Sequence, residues 1–383
     1  MNPIYLDYNA TTPIDPAVYE AMLPYLRDQF GNPSSSHAYG RAAHDAVECA
    51  RRQVAELLNA KPDEIVLTGG GSEASNHAIK GVVFSKVIGG QSFRDLHVIT
   101  SAVEHPATLQ PCEFLKKLGC AVTTLPVDKT GRIDPDDLRR AIRKETVLVT
   151  IMHSNNEVGT LQPIREIAAI ARANGILVHT DAAQSMGKLT VEVNELGVDL
   201  LTVAGHKLYA PKGIGVLFLR SGVRIEKLIH GAGHESGRRA GTENVPYIVG
   251  LGEAAAIAQR SLPQATEKLT KLRDRLENRL RQQFGDRLLL NGHRELRLPN
   301  TLNVSFPDEI GADLLARTPE VAASTGSACH EGKIKLSPVL AAMGVPAEIG
   351  QGAIRLSVGR FTTEEDVNKA ADALVRTVSS KIS

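Results

Sequence analysis

The sequence predicts an α/β protein with a mostly parallel central sheet in a large domain, followed by a smaller α+β domain. Three observations predict this architecture. Short apolar segments alternate with helical patterns between about residues 60 and 220, the pattern changes after about residue 260, and 383 residues suit two domains. We expect the large domain to span 15–260, and the small domain to combine 1–14 with 261–383.

The segments expected to form the central strands are apolar without alternation, which is typical of strands buried on both faces of a sheet. They are Glu64–Thr68, His97–Thr100, Val147–Met152, Ile176–Thr180, Asp199–Val203 and Gly215–Leu219. A helix between two of them is expected to begin near Pro163 and end at Gly175. Proline is favoured at the first position of a helix, and glycine is favoured just past its end.

The pattern after residue 260 predicts a long amphipathic helix that connects the two domains. One stripe of this helix carries Leu269, Leu272, Leu276, Leu280 and Phe284. Strands are expected around Thr301–Phe306 and Ala353–Val358, and a final helix is expected from about Glu364. This mixture predicts the smaller α+β domain.

Composition excludes several classes of protein. The net charge of +1 gives no electrostatic reason to expect nucleic acid or an anionic membrane as the main partner. No apolar run approaches the ~18 residues of a membrane span, and the N-terminus lacks the pattern of a signal peptide. The four cysteines show neither a C-x-x-C pair nor zinc-ligand spacing, so no metal site is expected. We therefore expect a cytoplasmic protein.

Polar side chains follow four successive predicted strands, at the edge where open α/β sheets bind ligands. These side chains include His105, Asn156, Asp181 and Lys207. Each alone is more typical of a helix cap or a solvated surface, whereas four at one edge favour a site. The glycine-rich turn 69–71, with the serine that follows it, offers N–H groups and a hydroxyl for a phosphate at the start of a helix.

The pairing of Asp181 with Lys207 indicates pyridoxal 5'-phosphate chemistry. Such an enzyme needs a lysine for the Schiff base and a carboxylate that keeps the ring nitrogen protonated, so that the ring can accept electrons. A partly desolvated lysine is also nucleophilic near neutral pH.

The remaining polar groups have roles in holding such a cofactor. We expect His105 to lie on the face of the ring and Asn156 and Gln184 to hydrogen-bond the ring hydroxyl. Ser72 and His206 are expected to hold the phosphate. The set therefore gives each part of the cofactor a partner.

Ten strings of residues occur in one order between Tyr5 and Asp366: YLDYNATTP, FGNPSS, TGGGSEASN, SAVEHPA, MHSNNEVGT, HTDAAQ, GHKLYAPKGIG, GRRAGTEN, TGSAC and IRLSVGRFTTEED. Together they resemble the NifS/IscS-like group I cysteine desulfurases of the class V aminotransferase superfamily, over nearly the whole chain. The resemblance implies the fold-type-I pyridoxal phosphate architecture. It also implies a homodimer, in which Thr242 reaches the phosphate of the neighbouring subunit's cofactor.

The resemblance also implies a role for each matching residue. Lys207 becomes the Schiff-base lysine and Asp181 the partner of the ring nitrogen. His105 stacks on the ring and is expected, with Lys207 and Cys329, to be a catalytic residue. Asn156 contacts both ring and substrate, and Arg355 clamps the substrate carboxylate with two parallel hydrogen bonds. The alternative for Arg355 is a salt bridge at the start of a strand. Further cofactor contacts implied are Gly71, Ser72, Gln184 and His206.

Cys329 lies among small residues in the string STGSACHEG, residues 324–332. The family's nucleophilic cysteine occupies this place, which implies that Cys329 receives sulfur as a persulfide and delivers it to an acceptor protein. The alternative is an ordinary thiol in a loop, and this is our interpretation of Cys49, Cys112 and Cys120.

Two features depart from the family pattern. Ala204 stands where the family has a serine that contacts the phosphate, and this change, with ACH followed by SPVL, resembles selenocysteine-lyase-like relatives. In addition, few residues follow Asp366, whereas the housekeeping iron–sulfur desulfurases have a longer tail that engages a scaffold protein. Binding of that scaffold is therefore in doubt.

The leading hypothesis is conversion of L-cysteine to L-alanine, with a persulfide on Cys329 for transfer to iron–sulfur cluster assembly or another sulfur pathway. One alternative is a selenocysteine lyase that acts on L-selenocysteine. A second is an ordinary class V aminotransferase, which has no use for Cys329. A third is a sulfur-relay or scaffold-binding subunit with dispensable catalysis, and the combination of Lys207, Asp181 and Cys329 argues against it.

Overall fold

The computed structural model describes residues 2–306, 308–325, 329–330, 333–334 and 336–379, and of 329–330 and 333–334 it describes only the backbone. The α-helices in these ranges are α1 (Pro16–Arg27), α2 (Ala38–Leu58), α3 (Gly71–Ile88), α4 (Pro106–Lys117), α5 (Pro135–Ala141), α6 (Ile164–Ala173), α7 (Val193–Leu196), α8 (Val245–Phe284), α9 (Gly311–Ala316), α10 (Pro338–Ala342), α11 (Ala347–Gly350) and α12 (Glu364–Ser379). The strands are β1 (Ile4–Tyr5), β2 (Ile65–Thr68), β3 (His97–Ser101), β4 (Ala121–Leu125), β5 (Thr146–Thr150), β6 (Leu177–Asp181), β7 (Leu200–Ala204), β8 (Gly215–Leu219), β9 (Leu289–Leu290), β10 (Thr301–Ser305), β11 (Val321–Ala322), β12 (Ser324–Thr325), β13 (Cys329–His330), β14 (Lys333–Ile334) and β15 (Ala353–Ser357).

The central sheet has the order β2-β8-β7-β6-β5-β3-β4 among the described residues. Strands β4, β3, β5, β6 and β7 run parallel to one another, and β8 is antiparallel to both β7 and β2. The predicted mostly parallel sheet is therefore confirmed. Because the carboxyl ends of β5, β6 and β7 meet at one edge, the residues that follow them are brought together.

Helices cover both faces of this sheet, which explains why its strands lack an apolar and polar alternation. Successive residues enter different cores: Leu148 of β5 packs with α3 and α4, and Val149 packs with α6 on the opposite face. Strand β4 was not predicted, because it lies at the edge of the sheet and its sequence AVTTL is mostly half-buried. The strands that were predicted agree with the observed strands except at their ends.

A second sheet, of order β12-β15-β10-β9 in the described part of the chain, packs against α8, α9 and α12. The predicted stripe of α8 is confirmed as part of this core, since Leu269, Leu272, Leu276, Leu280 and Phe284 are all buried. The helix begins much earlier than predicted, at Val245, where the side chain of Asn244 accepts a hydrogen bond from the N–H of Tyr247.

Helix α8 joins the two cores. Its first half packs on α2, where Gly252 permits close approach: a Cβ there would lie 2.6 Å from Cα of Ala50. Its second half packs on the smaller sheet. The helix passes residue 260 without interruption, and the boundaries 1–14, 15–260 and 261–383 stay a prediction. None of the helices described is long and apolar enough to cross a membrane.

Candidate active site

A cavity of about 330 Å³ lies at the carboxyl edge of the central sheet. It is bordered by the ends of β6 and β7, the segment after β5 and the start of α3. The predicted site residues that line it are Gly71, Ser72, His105, Asn156, Asp181, Gln184, His206 and Lys207. The structure therefore brings together residues that are up to 136 positions apart, from 71 to 207.

Lys207 and Asp181 face this cavity from neighbouring strands. Asp181 ends β6, and its Oδ1 accepts a hydrogen bond of 2.9 Å from the N–H of Ala183, which orients the carboxylate. Lys207 closes the 3₁₀ turn that directly follows β7. Burial lowers the pKa of Lys207, while the Asp181 carboxylate acts to raise it. A lowered pKa increases the fraction of neutral amine, which is the nucleophilic and basic form.

Two histidines of the cavity are fixed by local hydrogen bonds. His105 caps α4, because its Nδ1 accepts a hydrogen bond of 3.1 Å from the N–H of Ala107. Nδ1 of His206 is 3.1 Å from Oγ1 of Thr11. Burial lowers the pKa of both, to about 4 for His206, and the charge of Lys207 contributes in each case. Neutral rings are therefore expected near neutral pH.

The start of α3 is built to approach a ligand closely. Gly70 has φ +142°, a conformation that favours glycine, and no side chain caps the helix. A Cβ on Gly71 would lie 3.1 Å from Cβ of Ala204, so the turn packs tightly against the end of β7. The first N–H groups of a long helix, together with Ser72, suit a phosphate. Ala204 lies in the same cavity wall, so the departure from the family serine falls within the site.

Arg355 does not line the cavity, but it contacts Asn156, which does. From β15, its Nη1 donates to the carbonyl of Asn156 at 3.0 Å, and its Nη2 donates to Oδ1 of Asp7 at 2.7 Å. The salt bridge that was the alternative interpretation is therefore present, although its partner comes from the N-terminal segment. The clamp on a substrate carboxylate stays a prediction, and the hydrogen bond to Asn156 links the guanidinium to a residue that lines the cavity.

Thr242 lines a separate cavity of about 150 Å³, which shares Gly69 and Gly213 with the main one. Its predicted contact is with a neighbouring subunit, so it too stays a prediction. Cys329 lies in β13, which pairs with β14 so that Cys329 is opposite Ile334. The side chain of Cys329 lies outside the described residues.

The other cysteines fit the interpretation of ordinary thiols. Cys112 and Cys120 are buried, and burial raises the pKa to about 12 and about 11, respectively. Thiols that stay protonated are poor nucleophiles. Cys49 is exposed, which makes it the appropriate control in experiments on sulfur transfer.

Asn9, which was not predicted from the sequence, is a buried residue that contacts two predicted cofactor ligands. Its carbonyl accepts a hydrogen bond of 3.0 Å from Nε2 of Gln184, and its Nδ2 donates to the carbonyl of Asn156 at 3.2 Å. The same amide donates to Oγ1 of Thr301 at 2.8 Å. The string YLDYNATTP contained this residue, but its place between the two sheets depends on the tertiary fold.

Glu104 was also missed, although it adjoins His105. Its carboxyl group is buried and accepts hydrogen bonds from Oγ of Ser101 at 2.6 Å and from the N–H of Met152 at 2.9 Å. Burial raises the pKa of Glu104 to about 8. These bonds fix the segment that carries His105 to the end of the neighbouring strand.

These residues fit pyridoxal phosphate. A buried amine and an oriented carboxylate occupy adjacent strand ends, a neutral histidine lies in the same cavity, and an uncapped helix begins at its border. These are the groups needed by the aldehyde, the ring nitrogen, the ring face and the phosphate. The chain matches the family described as "Aminotransferase class-V" over residues 4–370. The chain belongs to the aminotransferase class-V family.

Proteins similar to this chain have names that are more specific than the name of the family. It is 48% identical over 377 residues to "Cysteine desulfurase IscS" of Dictyoglomus turgidum, covering 98% of this chain and 94% of the relative. A solved structure named "NIFS-LIKE PROTEIN" superposes with a TM-score of 0.91 at 37% identity, covering 99% of this chain and all of the other. "SspA in complex with cysteine" superposes with a TM-score of 0.79 at 36% identity, over 94% and 99% of the two chains. The predicted NifS/IscS resemblance, fold-type-I architecture and pyridoxal phosphate cofactor are thereby confirmed.

Proposed function

We propose that this chain is a pyridoxal phosphate-dependent cysteine desulfurase that converts L-cysteine to L-alanine. The observation that carries the proposal is the placement of Lys207 and Asp181 at adjacent strand ends in one cavity, in a chain 48% identical to a protein named cysteine desulfurase. The prediction of a cysteine desulfurase made from the sequence is confirmed at this level.

The mechanism relies on a buried amine that can change its protonation state. When bound, pyridoxal phosphate supplies an acceptor for the electron pair left on the α-carbon of the substrate. Burial lowers the pKa of Lys207, which favours the neutral Nζ that would take the α-proton. Asp181, whose side chain is oriented by the N–H of Ala183, is the residue that would hold the ring nitrogen.

Sulfur transfer requires a second nucleophile. The thiolate of Cys329 attacks the substrate sulfur, an S–S bond forms, and the C–S bond of the substrate breaks. The carbon that loses sulfur gains a proton, so L-cysteine and the Cys329 thiol give L-alanine and a Cys329 persulfide. No external oxidant is needed, because the substrate carbon is reduced as the sulfur is oxidised.

The direct test is to incubate the purified protein, loaded with pyridoxal phosphate, with L-cysteine and a thiol reductant, and to measure alanine. We expect catalytic alanine release. Transfer of the amino group of cysteine to a keto acid, with the C–S bond left intact and no alanine formed from the cysteine skeleton, would instead indicate an ordinary class V aminotransferase.

The specificity for the substrate carboxylate is predicted to depend on Arg355. Arg355→Lys removes the paired donors of the guanidinium, so KM for L-cysteine should rise by roughly 30- to 150-fold, corresponding to about 2–3 kcal/mol. The matched control is Arg297→Lys, another buried arginine in an ion pair, with Glu277, away from the cavity. A rise of less than about threefold in the Arg355 variant would show that Arg355 is only structural.

We also propose a homodimer in which Thr242 completes the site of the neighbouring subunit. Thr242 is exposed and lies beside the glycine turn rather than in the main cavity, as a residue that acts across an interface should. Light scattering should give twice the chain mass, and Thr242→Val should weaken pyridoxal phosphate binding. An active monomer at assay concentration would contradict this proposal.

The remaining proposals concern the second substrate and the destination of the sulfur. L-selenocysteine is a candidate second substrate, supported by Ala204 in the cavity wall. The acceptor is proposed to be a protein that takes the persulfide sulfur, and the setting is proposed to be the cytoplasm, where thiols stay reduced. A relative named IscS links this chemistry to iron–sulfur cluster assembly.

A further inference from the structure

Lys188 is a buried lysine that the mechanism above does not use. It is 5% exposed, and none of the carboxylates described in the structure lies within ion-pair distance of its ammonium. Its Nζ instead lies 3.2 Å from Oε1 of Gln184 and 3.5 Å from Oδ1 of Asn9. An ammonium group held only by neutral amides has a large desolvation penalty.

The charged groups around Lys188 make this penalty larger. Lys207 and Arg355 lie on the side of the active site, and each has a carboxylate near it: Asp181 near Lys207, and Asp7 in an ion pair with Arg355. Arg360 lines a cavity of about 240 Å³ on the other side, and its charge is already paired with Asp15. Burial and the first two cations lower the pKa of Lys188 to about 7. Among these cations, Lys188 is the one for which the described residues supply no carboxylate partner.

Gln184 connects Lys188 to the active-site cavity. Two contacts fix the orientation of the Gln184 amide. The ammonium of Lys188 can only donate a hydrogen bond, so Oε1 of Gln184 must face it. The carbonyl of Asn9 can only accept, so Nε2 of Gln184 must face Asn9. One N–H of Nε2 is used by Asn9, and no acceptor for the other is present in the described part of the chain. Because Gln184 lines the cavity, this second N–H is available to an acceptor bound there.

We infer that Lys188 is a positioning residue whose positive charge, acting through the fixed amide of Gln184, is matched by an anionic ring oxygen of bound pyridoxal phosphate. The cofactor supplies the counter-charge that the described residues do not provide for Lys188. A cation behind the amide also polarises its N–H groups and makes them better donors. The inference rests on the proposed cofactor contact of Gln184, and it adds a residue beyond the cavity wall.

This role predicts opposite effects on the two forms of the protein. Lys188→Gln keeps a donor toward Gln184 and removes the charge. At a pH below the Lys188 pKa of about 7, the ligand-free variant should therefore melt at a higher temperature than the ligand-free wild type. The same variant should bind pyridoxal phosphate roughly tenfold or more weakly, since a buried charge interaction is lost. Lys188→Met should behave in the same way, and Lys268→Met, an exposed lysine lining the same small cavity, should change neither property.

The measurements are equilibrium binding of pyridoxal phosphate, binding of pyridoxal, and melting of the ligand-free proteins. Pyridoxal keeps the ring oxygen and lacks the phosphate, so Lys188→Gln should weaken both ligands by the same factor. Loss confined to pyridoxal phosphate, unchanged affinity for both ligands, or ligand-free variants that melt lower or do not fold would each overturn the inference. If the wild type itself fails to bind the cofactor, the proposed function fails instead.

Discussion

Cys329→Ala is expected to abolish the release of alanine from L-cysteine and to leave the cofactor's visible absorption unchanged. Sulfur bonded to carbon is a poor leaving group, so its removal requires attack by a thiolate. The cavity residues proposed to hold the cofactor lie at the carboxyl edge of the central sheet and at the starts of α3 and α4, and none of them is in β13. Cys49→Ala, which removes an exposed thiol, is the matched control and should keep full activity.

The same variant separates cysteine from selenocysteine as substrate. Selenium is more polarisable and its selenol more acidic, so elimination from L-selenocysteine needs less assistance from Cys329. We expect Cys329→Ala to retain measurable turnover of L-selenocysteine and none of L-cysteine. Full turnover of L-cysteine by this variant would refute the proposed sulfur transfer.

Lys207→Ala is expected to remove the covalent attachment of the cofactor and to reduce alanine release by on the order of 10²–10⁴-fold or more, since it deletes both the attachment point and the base. Borohydride treatment followed by peptide mapping should label Lys207 in the wild type. Lys212→Ala, an exposed lysine five positions later, is the control.

A second buried lysine, Lys188, lies near Lys207, so the labelled lysine must be identified by peptide mapping. Lys188 contributes to the same electrostatic environment as Lys207. If borohydride still fixed the cofactor to the Lys207→Ala protein, labelling of Lys188 or another lysine would show that the attachment had been assigned to the wrong residue.

Local sequence was enough to predict the groups that line the cavity. Asp181 and Lys207 directly follow buried apolar strands, and the carboxyl ends of parallel neighbours must lie together, so their meeting follows from strand order. The family resemblance then gave each residue a chemical role. Strand β4 escaped prediction because an edge strand does not need the continuous apolar pattern on which the prediction relied.

What the sequence could not predict depends on contacts between distant segments. The pairing of Arg355 with Asp7 spans 348 positions, and the bond from Gln184 to Asn9 spans 175. Nothing in the local pattern around Lys188 distinguishes it from a solvated lysine after a turn. Its burial follows from the packing of the N-terminal segment and α8 against the end of the sheet.

The central claim is that Cys329 accepts the sulfur of L-cysteine. The most direct measurement is mass spectrometry of the protein after brief incubation with L-cysteine without reductant, with mapping of each cysteine peptide. The account predicts one added sulfur atom on Cys329, and none on Cys49, Cys112 or Cys120, in amounts that match the alanine released. A sulfur adduct mainly on one of the other three thiols, or alanine release with no adduct on Cys329, would contradict it.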